Sequence, residues 1–342
     1  MASTLFSQPY APFLALGVGG LGGRAAAAGA LEGFGEKAPW AACDSQAPRL
    51  LSTGLERKLL VELPDQARFD VAEEFVAAKK AELRALASRR TVAILFGALG
   101  EPSAALLLSA LSAALREQGL FACAIGVEPF ELEGDARAAA ADQAAAQLTQ
   151  SADLLLRMPS APLLAPLGAA ASLSQAYRAA ESALSGAVEA LLGAFVGTSA
   201  APAFTPPRLL NALRGTGAAS AAVGFGTGVD APRAALEAAL GKRWHGRMGT
   251  DTILDGHNGV CPHFPEGGLA AALVAGREIA LAEAQLIAKR LHEGRPAGAA
   301  SLLGLGLDGS LADEARCLIL HRAGPSRNVI SLNDAKTTKE NL

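Results

Sequence analysis

Five glycines follow an apolar run near the start of the chain and could bind an anion. Residues 13–16 have the length and character of a buried strand, and the alanine-rich residues 24–31 are typical of a helix. The glycines between them are Gly17, Gly19, Gly20, Gly22 and Gly23. A glycine turn between a strand and a helix presents free backbone N–H groups and the positive end of the helix dipole, so phosphate is the expected ligand.

The same glycines also fit the dinucleotide-binding pattern GxGxxG. The acid expected about 20 residues further on would be Glu36 or Asp44. This match keeps open a Rossmann-like enzyme that binds a dinucleotide. An ordinary strand-to-helix turn is the third interpretation.

Strand candidates alternate with helical segments through the first half of the chain. The strand candidates are residues 13–16, 59–63, 91–96, 121–127 and 153–157, and the helical segments are residues 24–31, 71–89, 103–118 and 135–150. This alternation predicts a doubly wound, mostly parallel sheet whose ligand edge lies at the carboxyl ends of the strands. The glycine turn, Asp44, residues 97–101 and residues 129–134 all fall at such ends.

A long helix is predicted after this sheet. From Ser172 to Phe195 apolar residues recur at steps of three and four, and a proline-rich break follows at residues 201–207. The expected divisions are a Rossmann-like domain over 1–171, a central helix over 172–196, a smaller α/β domain over 203–324 and a polar tail over 325–342.

Composition argues against several classes of function. The chain has 342 residues and a net charge of −3, so it offers no basic surface for nucleic acid. No segment reaches about 18 uninterrupted apolar residues, and we expect no direct membrane insertion. The four cysteines Cys43, Cys123, Cys261 and Cys317 form no CxxC pair, which favours a reduced, cytoplasmic protein.

One cluster in the second half has metal-ligand residue types. His257, Cys261 and His263 lie within seven residues, and His245, Asp251 and Asp255 are nearby. Zinc would accept such ligands, but the spacing matches no standard structural site. A strand and loop without metal is the other interpretation, and no metal ligand is assigned.

Several segments, in order along the chain, resemble the tubulin/FtsZ superfamily. They are GVGGLGGRA at 17–25, ACDSQA at 42–47, EPFELEGDAR at 128–137, ADLLLRMP at 152–159, SLSQAYRAAESALSGAV at 172–188, and ASLLGLGLDGSLADEARCLILHRAG at 300–324. The last segment resembles the final hairpin of the second domain of FtsZ. The resemblance covers about residues 13–324.

This resemblance implies a GTPase-type Rossmann-like domain, a central helix and a smaller C-terminal α/β domain. It also implies a cytoplasmic cytoskeletal or scaffold protein that self-associates through longitudinal, tubulin-like contacts. GTP or GDP would be a weakly held ligand, and FtsZ or a membrane adaptor would be a candidate partner. Cell division or membrane remodelling would be the process.

The resemblance also implies a set of nucleotide-binding residues. They are Gly19, Gly20, Gly22, Gly23, Asp44, Gly100, Glu133, Arg137, Tyr177 and Glu181. Glu133 stands at the position of a ribose-contacting acid, and Arg137 at that of a nucleotide-contacting arginine. Tyr177 aligns with the aromatic residue that stacks on guanine, although a core aromatic residue explains it equally well. Ser160 and Glu181 replace two asparagines that read guanine, and a carboxylate could still accept hydrogen bonds from that base.

Two phosphate-binding loops of the family have lost their glycines here. The loop GGGTGTG corresponds to the stretch at residues 97–106, in which Glu101 adds a negative charge and Pro102 removes an N–H donor. Residues 101–103 also form a good helix start, which we prefer as their role. The family loop GAGANP has no visible counterpart.

The acids that the family uses for hydrolysis are missing as well. In the family, a loop NxDxxD after the central helix inserts its acids into the nucleotide site of the next subunit. The aligned residues are Pro207, Leu209 and Ala212, none of which can act as a general base. We therefore expect weak or absent GTP hydrolysis and no catalytic residues. An active, GTP-dependent polymerising relative with misaligned loops is the alternative.

Overall fold

The structure is a computed structural model that describes residues 12–32, 40–164, 167–168, 170–198, 203–213, 217–241, 267–293 and 301–323. Its strands are β1 Phe13–Val18, β2 Trp40–Asp44, β3 Lys58–Leu60, β4 Val92–Ala98, β5 Phe121–Val127, β6 Leu154–Met158, β7 Ala219–Thr227, β8 Gly267–Ala275, β9 Ser301–Leu307 and β10 Glu314–Ala323. Its helices are α1 Gly19–Glu32, α2 Ala47–Ser52, α3 Phe69–Ala78, α4 Lys80–Ala87, α5 Pro102–Glu117, α6 Asp135–Ser151, α7 Ala161–Leu164, α8 Leu173–Val196, α9 Pro206–Ala212, α10 Ala231–Leu240 and α11 Leu281–His292.

The described strands form one sheet in the order β3-β2-β1-β4-β5-β6-β7-β10-β8-β9. All pairings from β3 to β7 are parallel. β10 runs antiparallel to both of its neighbours, and β9 is parallel to β8. This arrangement confirms the predicted α/β fold with a mostly parallel sheet.

The hairpin predicted over residues 300–324 is wrong. β9 and β10 are consecutive in the chain, but β8 lies between them and pairs with both. β8 is almost entirely buried along its length, so it takes an interior position, while β9 forms the edge of the sheet. β9 and β10 look like a hairpin because they are consecutive in the chain. Their order in the sheet depends instead on packing with β8, a segment that lies earlier in the sequence.

Two predicted helix boundaries also need correction. The first helix does not begin near residue 24 but at Gly19, so four of the glycines lie in its first turns. The helix predicted over residues 71–89 is two helices, α3 and α4, with a break at Lys79. Neither proline nor glycine marks that break, so the sequence carries no signal for it.

The central helix is confirmed as α8. Ser172 caps it with a capping box. The Ser172 hydroxyl accepts a hydrogen bond from the backbone N–H of Gln175, and the side-chain oxygen of Gln175 accepts one from the backbone N–H of Ser172. By length and composition α8 could cross a membrane, but 78% of its most apolar window is buried inside the protein.

Alternate residues of the strands face different hydrophobic clusters. Phe13 and Ala15 of β1 pack in one cluster with α1 and α8, whereas Leu14 and Leu16 join a second cluster with α3, α5 and α6. The cluster around α8 also receives Val274 and other residues of β7, β8 and β10. The central helix therefore packs against both halves of the sheet, and the division into domains stays a prediction.

Candidate functional site

The strand order reverses beside β1, which lies between β2 and β4. The helices that follow β1 and β4 therefore begin at the same edge of the sheet, where open α/β sheets bind ligands. A cleft of about 330 Å³ lies there. It is lined by Gly20, Leu21, Arg24, Arg49, Ala98, Gly100, Glu101, Val127, Glu128, Pro129, Phe130, Glu133, Arg137, Tyr177 and Ala180.

Five of the ten residues predicted to bind nucleotide line this cleft. They are Gly20, Gly100, Glu133, Arg137 and Tyr177, and they come from α1, the β4–α5 loop, the β5–α6 connection, α6 and α8. Residues distant in sequence are thus brought to one place by the fold.

Five further predicted residues lie around the cleft without lining it. Glu181 joins it indirectly, because its carboxylate pairs with Arg24 at 2.5 Å. Asp44 is buried at the end of β2, and Gly19 lies beside Glu101. A β-carbon on Gly22 would meet the Phe96 carbonyl, and one on Gly23 would meet the Thr53 methyl group, so neither residue faces the cleft.

The glycines of α1 allow a close approach between backbones. Gly19 has φ +73°, a conformation that side chains other than glycine rarely adopt. A β-carbon on Gly22 would lie 2.3 Å from the Phe96 carbonyl oxygen, and one on Gly17 would lie 2.1 Å from the Gly22 carbonyl oxygen. These glycines hold the start of α1 directly against β1 and β4.

One end of the cleft is built by Glu133, Tyr177 and Phe130. The Tyr177 hydroxyl donates a 2.7 Å hydrogen bond to Glu133 Oε1, and Arg137 Nη1 lies 3.6 Å from Glu133 Oε2. The bond to Glu133, with some burial, raises the pKa of Tyr177. The Phe130 and Tyr177 rings meet edge to face at 5.4 Å. This end combines an aromatic surface with a carboxylate and a guanidinium.

The other end carries a carboxylate next to the glycines of α1. Glu101 is the N-cap residue of α5, and Pro102 occupies the first turn, as the helix-start interpretation predicts. The Glu101 side chain does not cap α5 but pairs with Arg49 of α2. A β-carbon on Gly19 would lie 3.1 Å from Glu101 Oε2.

Asp44 lies close enough to this ion pair for both of its charges to act on the carboxyl. Burial raises the pKa of its carboxyl, and the neighbouring charge of Glu101 adds to this rise, while the Gln46 amide and the charge of Arg49 oppose it. Gln46 donates its backbone N–H to Asp44 Oδ1 at 2.9 Å.

Sequence reasoning missed the arginines Arg24 and Arg49 and the aromatic Phe130. Arg49 is the third residue of α2, and a basic residue so close to the ACDSQA segment was an available signal. The pairing of Arg24 with Glu181 joins residues 157 positions apart, and no local pattern could indicate it.

The helix that aligns with the family's acidic loop is α9. Leu209 is fully buried and Ala212 is nearly so, and both face the core. The exposed residues of α9 include Pro207 and Arg208. Leu209 and Ala212 therefore serve packing, whereas Pro207 lies on the exposed side of α9.

The candidate metal cluster of His257, Cys261 and His263 lies outside the described residues, as do His245, Asp251 and Asp255. Among the residues that the structure describes, no group of three or more histidine, cysteine or acidic side chains is placed to hold a metal ion. Cys43, Cys123 and Cys317 are free, buried thiols.

No family model matches the chain. Over 213 residues the chain is 25% identical to the cell division protein FtsZ of Buchnera aphidicola subsp. Schizaphis graminum. This match covers 60% of the present chain and 50% of the Buchnera protein. It is 37% identical over 76 residues to FtsZ of Pseudomonas putida, covering 22% of this chain and 19% of that protein. The matched region thus spans half or less of these curated relatives.

Solved structures match over a much larger part of the chain. An empty FtsZ dimer from M. jannaschii has a TM-score of 0.74 at 20% identity, covering 92% of this chain and 89% of that one. CetZ2 from Haloferax volcanii, a GTPγS-bound protofilament, has a TM-score of 0.62 at 14% identity, covering 92% and 94%. CetZ from Methanosaeta thermophila has a TM-score of 0.66 at 15% identity, covering 95% and 90%. The chain is therefore FtsZ-like in fold and, more distantly, in sequence.

Proposed function

We propose that this chain is an FtsZ-like cytoskeletal or scaffold protein that self-associates and hydrolyses GTP weakly or not at all. It would act in the cytoplasm, in cell division or membrane remodelling, with FtsZ or a membrane adaptor as a candidate partner. Self-association is supported by the likeness to an FtsZ dimer and to a CetZ2 protofilament.

The observation that carries the proposal of weak hydrolysis is the character of α9. Hydrolysis between subunits would need a carboxylate that reaches the neighbouring nucleotide and orients water. Leu209 and Ala212 are apolar and buried, and the sequence has no acid between Glu189 and Asp230. A neighbouring subunit that docks through this segment would supply no general base.

Weak nucleotide binding is proposed for the cleft itself. Gly20 lies in the first turn of α1, and Glu133, Arg137 and Tyr177 supply a polar, aromatic end for a nucleoside. Glu101 places a negative charge beside the turn. A phosphate close to that carboxylate would be repelled, and Pro102 offers no N–H in compensation.

The test is phosphate release over a range of protein concentrations, with sedimentation of the same samples with and without GTP. We expect concentration-dependent assembly that GTP does not reverse, and turnover near background. Loss of a positioned base or water-orienting group lowers rates by about 10²–10⁴-fold. GTPase activity that rises cooperatively with protein concentration would contradict weak hydrolysis, and a monomer at all concentrations would contradict self-association.

A further inference from the structure

The arginines that line the cleft are each held by a carboxylate of the same chain. Arg24 pairs with Glu181 at 2.5 Å, and Arg137 lies 3.6 Å from Glu133. Arg49 pairs with Glu101. An incoming phosphate would therefore meet guanidinium groups whose charge is already balanced, and it would have to displace a carboxylate to bind one.

The pair of Arg49 and Glu101 lies against the first turn of α1, which is the part of the cleft that would suit a phosphate. A β-carbon on Gly20 would lie 3.7 Å from Arg49 Nη1 and 3.8 Å from Glu101 Oε2. The carboxylate therefore lies against the first turn of α1, where the helix dipole and backbone amides favour an anion. The chain itself supplies that anion.

The local backbone explains why Glu101 reaches across the cleft. As the N-cap residue of α5 it has an extended conformation, with φ −94° and ψ 109°, and Pro102 follows in the first turn. Its side chain makes no capping bond to α5. The carboxylate turns instead towards α2 and α1, where Arg49 neutralises it.

The opposite end of the cleft carries no comparable obstacle. Glu133 is held by the Tyr177 hydroxyl and by Arg137, and the Phe130 and Tyr177 rings, which pack edge to face, line the same end of the cleft. These groups suit the hydroxyls of a ribose and the face of a base. The two ends of the cleft therefore differ in the ligand chemistry that they accept.

We propose that Glu101, held by Arg49, is a built-in anion that keeps polyphosphate away from the first turn of α1, so that the cleft selects its ligand through the nucleoside rather than through the phosphates. This inference rests on the proposed function in taking the cleft as a nucleotide site. Its consequence is an inverted order of affinity: a guanosine nucleoside binds at least as tightly as its triphosphate.

The experiment titrates guanosine, GDP and GTP into the full chain and into the Glu101→Gln variant. Glutamine keeps the size of the side chain but removes the charge. We expect the affinity for GTP to rise about tenfold or more in Glu101→Gln, the affinity for GDP to rise less, and that for guanosine to stay within about twofold.

Glu283→Gln is the matched control. Glu283 pairs with Arg277 on the other half of the molecule, and its side chain is 19% exposed, compared with 20% for Glu101. This variant loses the same charge from the same kind of ion pair, so it should leave all three affinities unchanged. Circular dichroism melting of both variants establishes that each is folded.

Three results would overturn the inference. The first is an unchanged ratio of GTP to guanosine affinity in Glu101→Gln, and the second is a wild-type protein that binds GTP much more tightly than guanosine. The third is no binding of any of the three ligands by either protein. Sedimentation without nucleotide tests the proposed self-association separately, so it can stand when the inference about Glu101 fails.

Discussion

Asp44 shows how the environment of a single side chain bears on stability. Its carboxyl is buried at the end of β2, and that burial raises its pKa. Because the folded state favours the neutral form, the ionised carboxylate lowers stability at neutral pH. This cost disappears as the pH falls through the raised pKa.

We therefore predict that Asp44→Asn is at least as stable as the wild type at pH 7. Asparagine stays neutral and can still accept the bond from the Gln46 amide. The advantage should shrink as the pH is lowered towards 4, which urea unfolding at several pH values measures.

Asp70 provides a control, because its pKa is shifted in the opposite direction to that of Asp44. A hydrogen bond from Arg68 holds the pKa of Asp70 below its usual range, so its ionised form favours the folded state. Asp70→Asn should not stabilise the protein at pH 7, and any loss should vanish at low pH. Equal pH dependence in the two variants would contradict this account of Asp44.

At the scale of elements, the glycines of α1 have separate roles. Gly22 faces the sheet, where a β-carbon would lie 2.3 Å from the Phe96 carbonyl oxygen and 3.1 Å from the Gly17 carbonyl carbon. Gly23 is also buried, but it faces the Thr53 side chain, and the nearest atom to its β-carbon would be a methyl group at 3.1 Å. Both residues lie in the same turn of one helix.

Gly22→Ala should therefore destabilise the protein by about 3 kcal/mol, since main-chain atoms cannot move aside without shifting α1 from the sheet. Gly23→Ala makes the same chemical change, but the Thr53 side chain can adjust. Alanine also favours a helix over glycine by up to about 1 kcal/mol, so Gly23→Ala should be neutral or stabilising.

Urea unfolding of the two variants measures both effects. Similar losses of stability in Gly22→Ala and Gly23→Ala would show that the backbone conformation of this turn, rather than contact with β4, requires glycine at these positions.

At the scale of the whole molecule, α8 connects the two halves of the sheet. The Phe195 ring lies 5.9 Å from that of Phe13 and 6.5 Å from that of Phe121, both in the first half. On the same helix, buried Glu189 pairs with Arg316 of β10 and accepts a 3.0 Å bond from Ser185. Apolar packing and a buried ion pair thus join both halves to one helix.

We predict that the two halves unfold together, although the sequence divides them into domains. Cys123 of β5 and Cys317 of β10 are buried thiols, one in each half, and burial raises the pKa of both. In increasing urea, both should become reactive to a thiol reagent over the same narrow range of concentration.

Mass spectrometry of labelled peptides follows each cysteine separately. Labelling of Cys317 at clearly lower urea than Cys123 would mean that the C-terminal half unfolds on its own, and that α8 belongs energetically to the first half alone.

Local patterns in the sequence were sufficient for several features of this protein. Strand–helix alternation predicted the parallel sheet, and apolar periodicity predicted α8 almost to the residue, because caps and helical faces depend on neighbouring residues. The resemblance to a known family also indicated Glu133, Arg137 and Tyr177, which the fold places together. Their role in binding a nucleotide stays a prediction.

Only the tertiary structure decided how distant segments meet. It placed β8 between β9 and β10, and it set the start of α1 by the contact of Gly22 with β4. It also paired Arg49 with Glu101, which lie 52 positions apart, beside the first turn of α1. Strand order and ion pairs across a cleft depend on packing between remote parts of the chain, and no periodicity within a short window encodes that packing.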